Sequence, residues 1–382
     1  MDNAKIDGPL RLSRRALLGT VAGVVGTTGG CLSLAGYTDP SPMGFVASSA
    51  SVGHSQDAVV VRTEAELRDA VGQDGTSVWL PGELELELSG PFPIAIAPNV
   101  TIASDRGQQN PGAKLSVSSY PDTVFEHTEG HCRVSGVRFR GPELDFFDPR
   151  TAQGTPASYY TQAFDFKGEL AEIDHCELAG WTHAAISGGA ADVPTTTRVH
   201  HNAIHHNQMQ TLGYGVNLRN GEGRIEWNYF DYNRHSVAAF GSETNGYEAR
   251  YNVVGPHAVS HVFDMHSKAD NLDDYSGNLA GTHLRVHHNV VEPTTVPGVG
   301  LRGVSTEQSF VRNNWFRAVP SLSFSGKESI IFQSKVDTNQ RFDVRANEYG
   351  PRATDRGRDW LRQRAGANTN TRSSVLSLAV QE

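Results

Sequence analysis

The sequence predicts an all-β protein, a right-handed parallel β-helix whose rungs of about 25 residues each hold three short strands. A short phrase that recurs along most of the chain carries this prediction. It consists of an apolar residue, two variable residues, Asn, one variable residue and a second apolar residue, as in residues 199–204. A short amphipathic helix ahead of the first copy predicts a cap on the open end of the coil.

The spacing of the phrase is that of a solenoid. Successive copies lie 40, 26, 26, 24, 37, 25 and 33 residues apart, with a central position held in turn by Gly136, Cys176, Asn202, Asn228, Asn252, Asn289, Asn314 and Asn347. A repeat near 25 residues fits three strands and three turns stacked in parallel, and parallel crossovers are usually right-handed. We expect the Asn to lie at a bend in left-handed backbone geometry and to hydrogen-bond the next rung.

The N-terminal residues predict export by the twin-arginine route. Residues 13–18 (SRRALL) form the twin-arginine core, and a Gly-, Ala- and Val-rich run follows it. That run is too short and too rich in glycine for a permanent spanning helix. Cys31 follows Thr-Thr-Gly-Gly and ends a candidate lipobox, so the protein is expected to be extracellular or lipid-anchored at the outer face of the cell membrane.

The predicted cap begins with a helix over residues 64–71, for which Thr63 and Glu66 form a capping box and Gly72 is the stop. The chain is then expected to divide into a signal peptide (1–31), a flexible linker (32–57), the cap and first strands (58–104), the β-helix (105–350) and a C-terminal tail (351–382). A short basic helix is expected within that tail, over residues 355–364.

Net charge and cysteine positions limit the expected binding partners and the expected state of the thiols. The formal net charge of −9 argues against a nucleic-acid partner held by phosphate neutralisation. Cys132 and Cys176 fall at different points of their rungs and are expected as buried free thiols. We expect a monomer that meets a membrane only through the candidate lipid anchor.

The cap helix, the strand Asn-Val-Thr-Ile at residues 99–102 and the Val-x-x-Asn-x-Val rungs resemble the pectate-lyase-like β-helix superfamily. The resemblance covers roughly residues 58–350. It implies a polysaccharide-active protein, and it implies Ca²⁺ held by carboxylates as the candidate cofactor. The sequence has no Asp/Glu trio on one strand face, so no residue is assigned as a metal ligand.

The candidate site lies on a strand that follows each Asn by about nine residues. In copies such as residues 214–219, 235–240 and 261–266, alternation places Val216, Leu218, Val237, Ala239, Phe263 and Met265 inward. The same alternation places Asn217, Arg219, Ala238, Phe240, Asp264 and His266 outward, and His183, Tyr214, His235 and His261 start these strands. We expect these outward side chains to line a groove one or two sugar residues wide.

These residue types suit β-elimination on a uronic-acid polysaccharide, which needs a base, a cation or donor for the developing charge, and an acid. The expected catalytic residues are His235 or His266 as the base, Arg219 to grip the carboxylate and Tyr214 as the acid. The expected substrate-binding residues are Asn217, Arg234, Asp264, His261 and Arg302. Asp264 is expected to orient His266 or to bind a cation together with Glu248 or Asn217.

Two alternatives stay open. A glycoside hydrolase would need two carboxylates, for which Asp264 with Glu243 or Asp231 are the candidates. A non-catalytic carbohydrate-binding or adhesin-like β-helix of the cell envelope would need no catalytic groups. The His-His pairs at residues 200–201, 205–206 and 287–288 suggest metal ligands, but their place in the repeat favours turn-flanking surface residues.

Overall fold

The structure is a computed structural model that describes residues 54–106, 111–143, 160–190, 192–209, 212–268, 279–319, 331–333 and 341–367. The predicted signal peptide, Cys31 and nearly all of the linker lie outside these ranges. Within them, the chain coils through three parallel sheets and adds one strand to each sheet in every full rung, which confirms the predicted parallel β-helix.

The strands are numbered β1–β30 in chain order, and every strand pair is parallel. Sheet 1 contains β1 (Val59–Val60), β2 (Ser77–Trp79), β5 (Val100–Ala103), β8 (His131–Ser135), β11 (Leu170–Asp174), β14 (Thr195–His200), β17 (Gly221–Glu226), β20 (Gly246–Arg250), β23 (Leu284–His287), β26 (Ser309–Arg312) and β29 (Phe342–Arg345). Sheet 2 contains β3 (Glu85–Glu87), β6 (Lys114–Ser116), β9 (Arg138–Arg140), β12 (Glu177–Ala179), β15 (Ala203–His205), β18 (Tyr229–Asp231), β21 (Val253–Val254), β24 (Val290–Val291), β27 (Trp315–Phe316) and β30 (Glu348–Tyr349). Sheet 3 contains β4 (Ile94–Ile96), β7 (Thr123–His127), β10 (Gln162–Phe166), β13 (Ala184–Gly188), β16 (Tyr214–Leu218), β19 (His235–Ala239), β22 (Phe263–Met265), β25 (Val299–Leu301) and β28 (Ile331–Gln333).

Two helices flank the coil. Helix α1 (Glu64–Val71) has the predicted capping box and buries Leu67, Ala70 and Val71 in the same core as the strands. Helix α2 (Pro351–Ala367) is longer than the predicted segment at residues 355–364. Its buried residues Ala353 and Leu361 pack on an apolar cluster outside the main core, so α2 covers the outer side of sheet 2 near the C-terminal end.

The interior is a continuous apolar core, and it contains all six residues predicted to point inward from sheet 3. Side chains stack from rung to rung: the rings of Phe125 and Phe164 lie 5.2 Å apart with an interplanar angle of 18°. Cys132 and Cys176 are buried free thiols, as expected. A very short strand of sheet 2 directly follows each Asn. The strand predicted to carry the site comes after it and belongs to sheet 3, so it is the third strand of its rung.

An asparagine ladder holds the corner between sheets 1 and 2. In each step, one Asn donates its backbone N–H and its side-chain Nδ2 to the Oδ1 of the Asn one rung on, as Asn228 does to Asn252 at 2.9 and 3.0 Å. The same Nδ2 donates to a backbone carbonyl of the preceding rung, at 2.9 Å for Val199 O. The ladder runs through Asn202, Asn228, Asn252, Asn289, Asn314 and Asn347.

The prediction that the Asn itself takes left-handed geometry is wrong. The residue immediately before it does so, with φ of 58° at His201, 58° at Trp227 and 59° at Tyr251. The kink at that position turns the chain, and the Asn that follows can then point its amide along the coil axis toward the next rung.

The expectation that the His-His pairs are surface residues is wrong for His200 and for the pair at 205–206, whereas His201, His287 and His288 are half-buried. His200, His205 and His206 are buried, with 5%, 1% and 7% of their surface exposed. In each pair the two Nδ1 atoms lie 2.8–2.9 Å apart, and the first ring's Nε2 faces a glutamate one rung away: Glu172, Glu177 or Glu248. The glutamate is a partner for the first ring of each pair, which offsets the cost of burying that ring.

We expect the ladder to be a main source of stability. Asn228→Ala would remove these partners of Asn202 N–H and Val199 C=O and one of the two donors to Asn252 Oδ1, at about 1–3 kcal/mol for each buried group left unpaired. The matched control is Asn347→Ala at the half-buried end of the ladder, which should cost clearly less. Urea unfolding measures both variants, and equal losses would contradict a ladder that depends on burial.

We also expect stability to fall below about pH 6.5. Burial lowers the pKa of His201 and of His206 from 6.5 to about 3, so both rings stay neutral in the fold while the unfolded chain takes up protons. Each such ring then removes up to about 1.4 kcal/mol per pH unit between pH 6.5 and 3. Urea unfolding at pH 7 and 5.5 should show this loss. His201→Asn should reduce it, since Asn313 occupies the equivalent left-handed position. The exposed control His131→Asn should leave it unchanged.

Candidate functional site

The predicted site residues lie on the outer side of sheet 3. Strand register places Asp165, Ser187, Asn217, Ala238, Asp264 and Gly300 in one column, one residue per rung. Because neighbouring strands are about 4.8 Å apart, each column is a regular row of side chains along the coil. Tyr214 and Ala238 pack with Ala184 in a small apolar cluster separate from the core, which confirms that they face outward.

A second column on this side is a stack of rings. The rings of Tyr214 and His235 lie 5.5 Å apart at an angle of 9°, and those of His235 and His261 lie 5.5 Å apart at 22°. Arg234 holds its guanidinium 5.9 Å from the centre of the Tyr214 ring. Burial raises the pKa of Tyr214 above its ordinary value, so its phenol is protonated at neutral pH.

Asp264 is the centre of the site. Its Oδ2 lies 2.9 Å from His266 Nε2, 3.4 Å from His261 Nδ1 and 3.8 Å from His235 Nε2. Arg302 donates from Nε to Oδ1 at 3.1 Å and from Nη2 to Oδ2. Although Asp264 is fully buried, these cationic and imidazole neighbours hold its pKa well below the ordinary range, so it is a carboxylate.

His235 is neutral, and the position of its proton follows from its contacts. The ring is fully buried, and burial holds its pKa well below 6.5. Its Nδ1 lies 2.6 Å from the carbonyl oxygen of His261, which can only accept, so Nδ1 carries the proton. Nε2 is therefore a lone pair, and it is buried without a hydrogen-bond partner among the described residues.

Arg219 has a partner that the sequence did not reveal. It forms an ion pair with Asp165, which also lies 3.2 Å from Lys167. Lys167 in turn pairs with Glu126 of the preceding rung. The sequence showed the outward position of Arg219 but not this row of alternating charges, since long insertions separate the rungs that carry it.

The site residues differ in their accessibility. The side chains of His266, His261 and Arg302 are 10%, 12% and 14% exposed, and that of Arg219 is 26% exposed. Phe240 is 46% exposed, with its ring 5.8 Å from that of His266. The accessible groups of the cluster are thus two imidazole edges and a guanidinium beside an exposed aromatic ring.

The structure separates several residues that the sequence grouped with Asp264. Glu248 lies on sheet 1 and pairs with Arg250 and His287, so it cannot share a cation with Asp264. Asp231 lies on sheet 2 and pairs with His257. Each sheet forms a different side of the coil, and sequence spacing alone did not assign these residues to their sheets.

Among the residues that the structure describes, two groups have ligand atoms close enough to hold a metal ion. One contains His235, His261 and Asp264, and the other contains Glu172, Asp174 and His200 on sheet 1. In the second group Arg133 lies 2.8 Å from Asp174, and Arg198 lies 2.8 Å from Glu172, so arginines already neutralise both carboxylates. The donor sets do not fit the Ca²⁺ that the resemblance implies, because calcium takes six to eight oxygen ligands.

Within the part of the chain that the structure describes, no helix is both long and apolar enough to cross a membrane. No protein-family model matches the chain, and no curated protein matches it.

Proposed function

We propose that the protein is an exported lyase on a pectate-lyase-like scaffold and that it cleaves a uronic-acid-containing polysaccharide by β-elimination. The observation that carries this proposal is the Asp264–His266 pair, which lies beside Arg302 and the exposed ring of Phe240 on one side of the coil. We also propose that the protein is exported, that Cys31 is a candidate site for a lipid anchor, and that the protein is a monomer.

His266 is the better of the two candidate bases. The base must reach a proton on the substrate, and His235 is fully buried whereas His266 is partly exposed. Asp264 lies 2.9 Å from His266 Nε2 and stabilises the imidazolium that forms when the ring takes the proton. This arrangement follows the general pattern of a base oriented by a buried carboxylate.

Arginine supplies the charge that elimination needs next to the substrate carboxylate. Arg302, which contacts Asp264, is the guanidinium beside His266, and its side chain is 14% exposed. Arg219 is 26% exposed but pairs with Asp165, roughly 19 Å from Asp264 along the column at the usual strand spacing, so it is expected to grip the carboxylate of another sugar unit of the polymer. A bidentate guanidinium suits a planar carboxylate and stabilises the enolate-like charge of the transition state. Tyr214, protonated and close to Arg234, is the candidate acid for the leaving oxygen.

Hydrolysis has weaker support because it needs two carboxylates about 5–9.5 Å apart. Asp165 and Asp264 share a column but are four strands apart, or roughly 19 Å at the usual strand spacing. Asp231 belongs to another sheet. Glu243, the other candidate, is exposed in the turn that follows β19, and no contact joins it to Asp264 among the described residues.

The proposal predicts cleavage of a uronate polymer with formation of unsaturated ends. Purified protein, incubated with a panel of such polymers, should raise the ultraviolet absorbance, and His266→Ala should lower the rate by about 10²–10⁴-fold. The matched control is His257→Ala, since His257 also faces an aspartate but lies on another side of the coil. Reducing ends without absorbance would indicate hydrolysis, and silence in both assays would favour the non-catalytic binding protein.

Phe240 is predicted to stack against a sugar ring. The residue is 46% exposed and its ring lies 5.8 Å from that of His266, where an aromatic face can pack on the apolar side of a sugar. Phe240→Ala should raise KM several-fold and change kcat less, without loss of stability. Val319→Ala, which trims another exposed apolar residue, is the control. An unchanged KM in Phe240→Ala would remove this residue from the binding surface.

A further inference from the structure

The outer side of sheet 3 holds a buried cluster whose nitrogen lone pairs and carboxylate oxygen converge on one point. The ligand atoms of His235, His261 and Asp264 all lie within 4.8 Å of one another. We propose that these three residues form a binding site for a divalent transition-metal ion of the Zn²⁺ class. Two imidazoles and one carboxylate form a donor set that Zn²⁺ and Co²⁺ accept and that calcium does not prefer.

His235 provides the first reason. Its Nδ1–H donates to a backbone carbonyl at 2.6 Å, the arrangement that usually orients a metal-binding histidine and leaves the other nitrogen for the ion. That other nitrogen, Nε2, is fully buried, has no hydrogen-bond partner among the described residues and lies 3.8 Å from Asp264 Oδ2. A buried lone pair facing a carboxylate is unfavourable unless a proton or another cation lies between them.

Arg302 provides the second reason, because it marks where a cation is stabilised. Its Nη2 donates to Asp264 Oδ2 and lies 3.0 Å from His261 Nδ1, which therefore presents a lone pair toward it. One guanidinium nitrogen thus contacts two of the three proposed ligands. A metal ion would replace Nη2 at this position, while Nε could keep its bond to Oδ1.

The contrast with the cluster on sheet 1 supports the assignment. There the carboxylates Glu172 and Asp174 are each contacted by an arginine, and His200 Nε2 is bonded to Glu172 at 2.9 Å. That cluster is neutralised and its imidazole is satisfied. In the sheet 3 cluster Arg302 likewise contacts the carboxylate, so the difference lies in the imidazole: Nε2 of His235 has no hydrogen-bond partner among the described residues.

Binding of Co²⁺ to the purified protein, with no polymer present, tests the proposal. We expect one Co²⁺ per chain with visible absorption bands that Zn²⁺ abolishes, and at least about 10-fold weaker binding in both His235→Ala and His261→Ala. His261 is partly exposed, so its variant should keep the fold, which circular dichroism checks. Arg302→Met should bind Co²⁺ more tightly because it removes the competing cation.

His257→Ala is the control, since His257 is exposed and lies 3.0 Å from Asp231 on another sheet. Unchanged binding in folded His235→Ala and His261→Ala would overturn the proposal, as would a loss of binding in His257→Ala alone. Bands that appear only in Arg302→Met would overturn it for the natural chain. The Co²⁺ measurement needs no substrate, so metal binding can be found even if the lyase assay is negative. Lyase activity can likewise be found even if no Co²⁺ binds.

Discussion

The structure depends on one constraint, which is that the buried asparagines of each rung find their hydrogen-bond partners one rung away. Parallel strands repeat at about 4.8 Å, so identical side chains in successive rungs come within hydrogen-bonding distance. Asparagine uses this spacing fully, because its amide donates to one rung and accepts from another. The ladder from Asn202 to Asn347 is therefore the polar counterpart of the apolar stack inside the coil.

The same spacing organises the outer side chains. Rings stack in columns such as Tyr214, His235 and His261, and opposite charges alternate, as in the row from Glu126 to Arg219. Outward side chains on such a coil form a regular lattice. One spacing of the lattice is the distance between strands along the coil, and the other is the two-residue alternation along each strand, so functional groups on the strands occupy these positions. The Asp264 cluster occupies neighbouring positions of that lattice on consecutive rungs.

Much of the fold could be predicted from the sequence because the repeat is written in short, local signals. The Asn phrase, the alternation of Val216 and Leu218 and the capping box at Thr63 each depend on residues close together in the chain. The errors came from finer geometry. The repeated phrase shows where the bend is but not which residue takes positive φ. A pair such as His205–His206 is expected at the surface because the sequence does not show that Glu177 lies beside it as a buried partner.

The position of the candidate site could be predicted from the sequence, but the ion pairs within it could not. Alternation placed Asp264 and His266 on one face, yet the pairing of Asp264 with Arg302 spans 38 residues, and that of Arg219 with Asp165 spans 54. Asp264 and Arg302 lie one rung apart with an insertion between them, and Asp165 and Arg219 lie two rungs apart, so neither pair could be matched from the spacing alone. Assignment to a sheet mattered equally, because Glu248 and Asp231 are near Asp264 in sequence but belong to other sides of the coil.

The distribution of buried charge separates the structural networks from the site. Burial of a charged or polar group costs free energy unless a partner compensates it, and the coil meets this demand with arginine or glutamate on sheet 1. Several buried polar side chains depart from that rule, and among them His235 has a nitrogen without a hydrogen-bond partner that faces a buried carboxylate. An apolar residue would stabilise that position better for the fold alone. The presence of a histidine there, beside the partly exposed His266 and the exposed Phe240, is therefore best explained by a bound group that the fold itself does not supply.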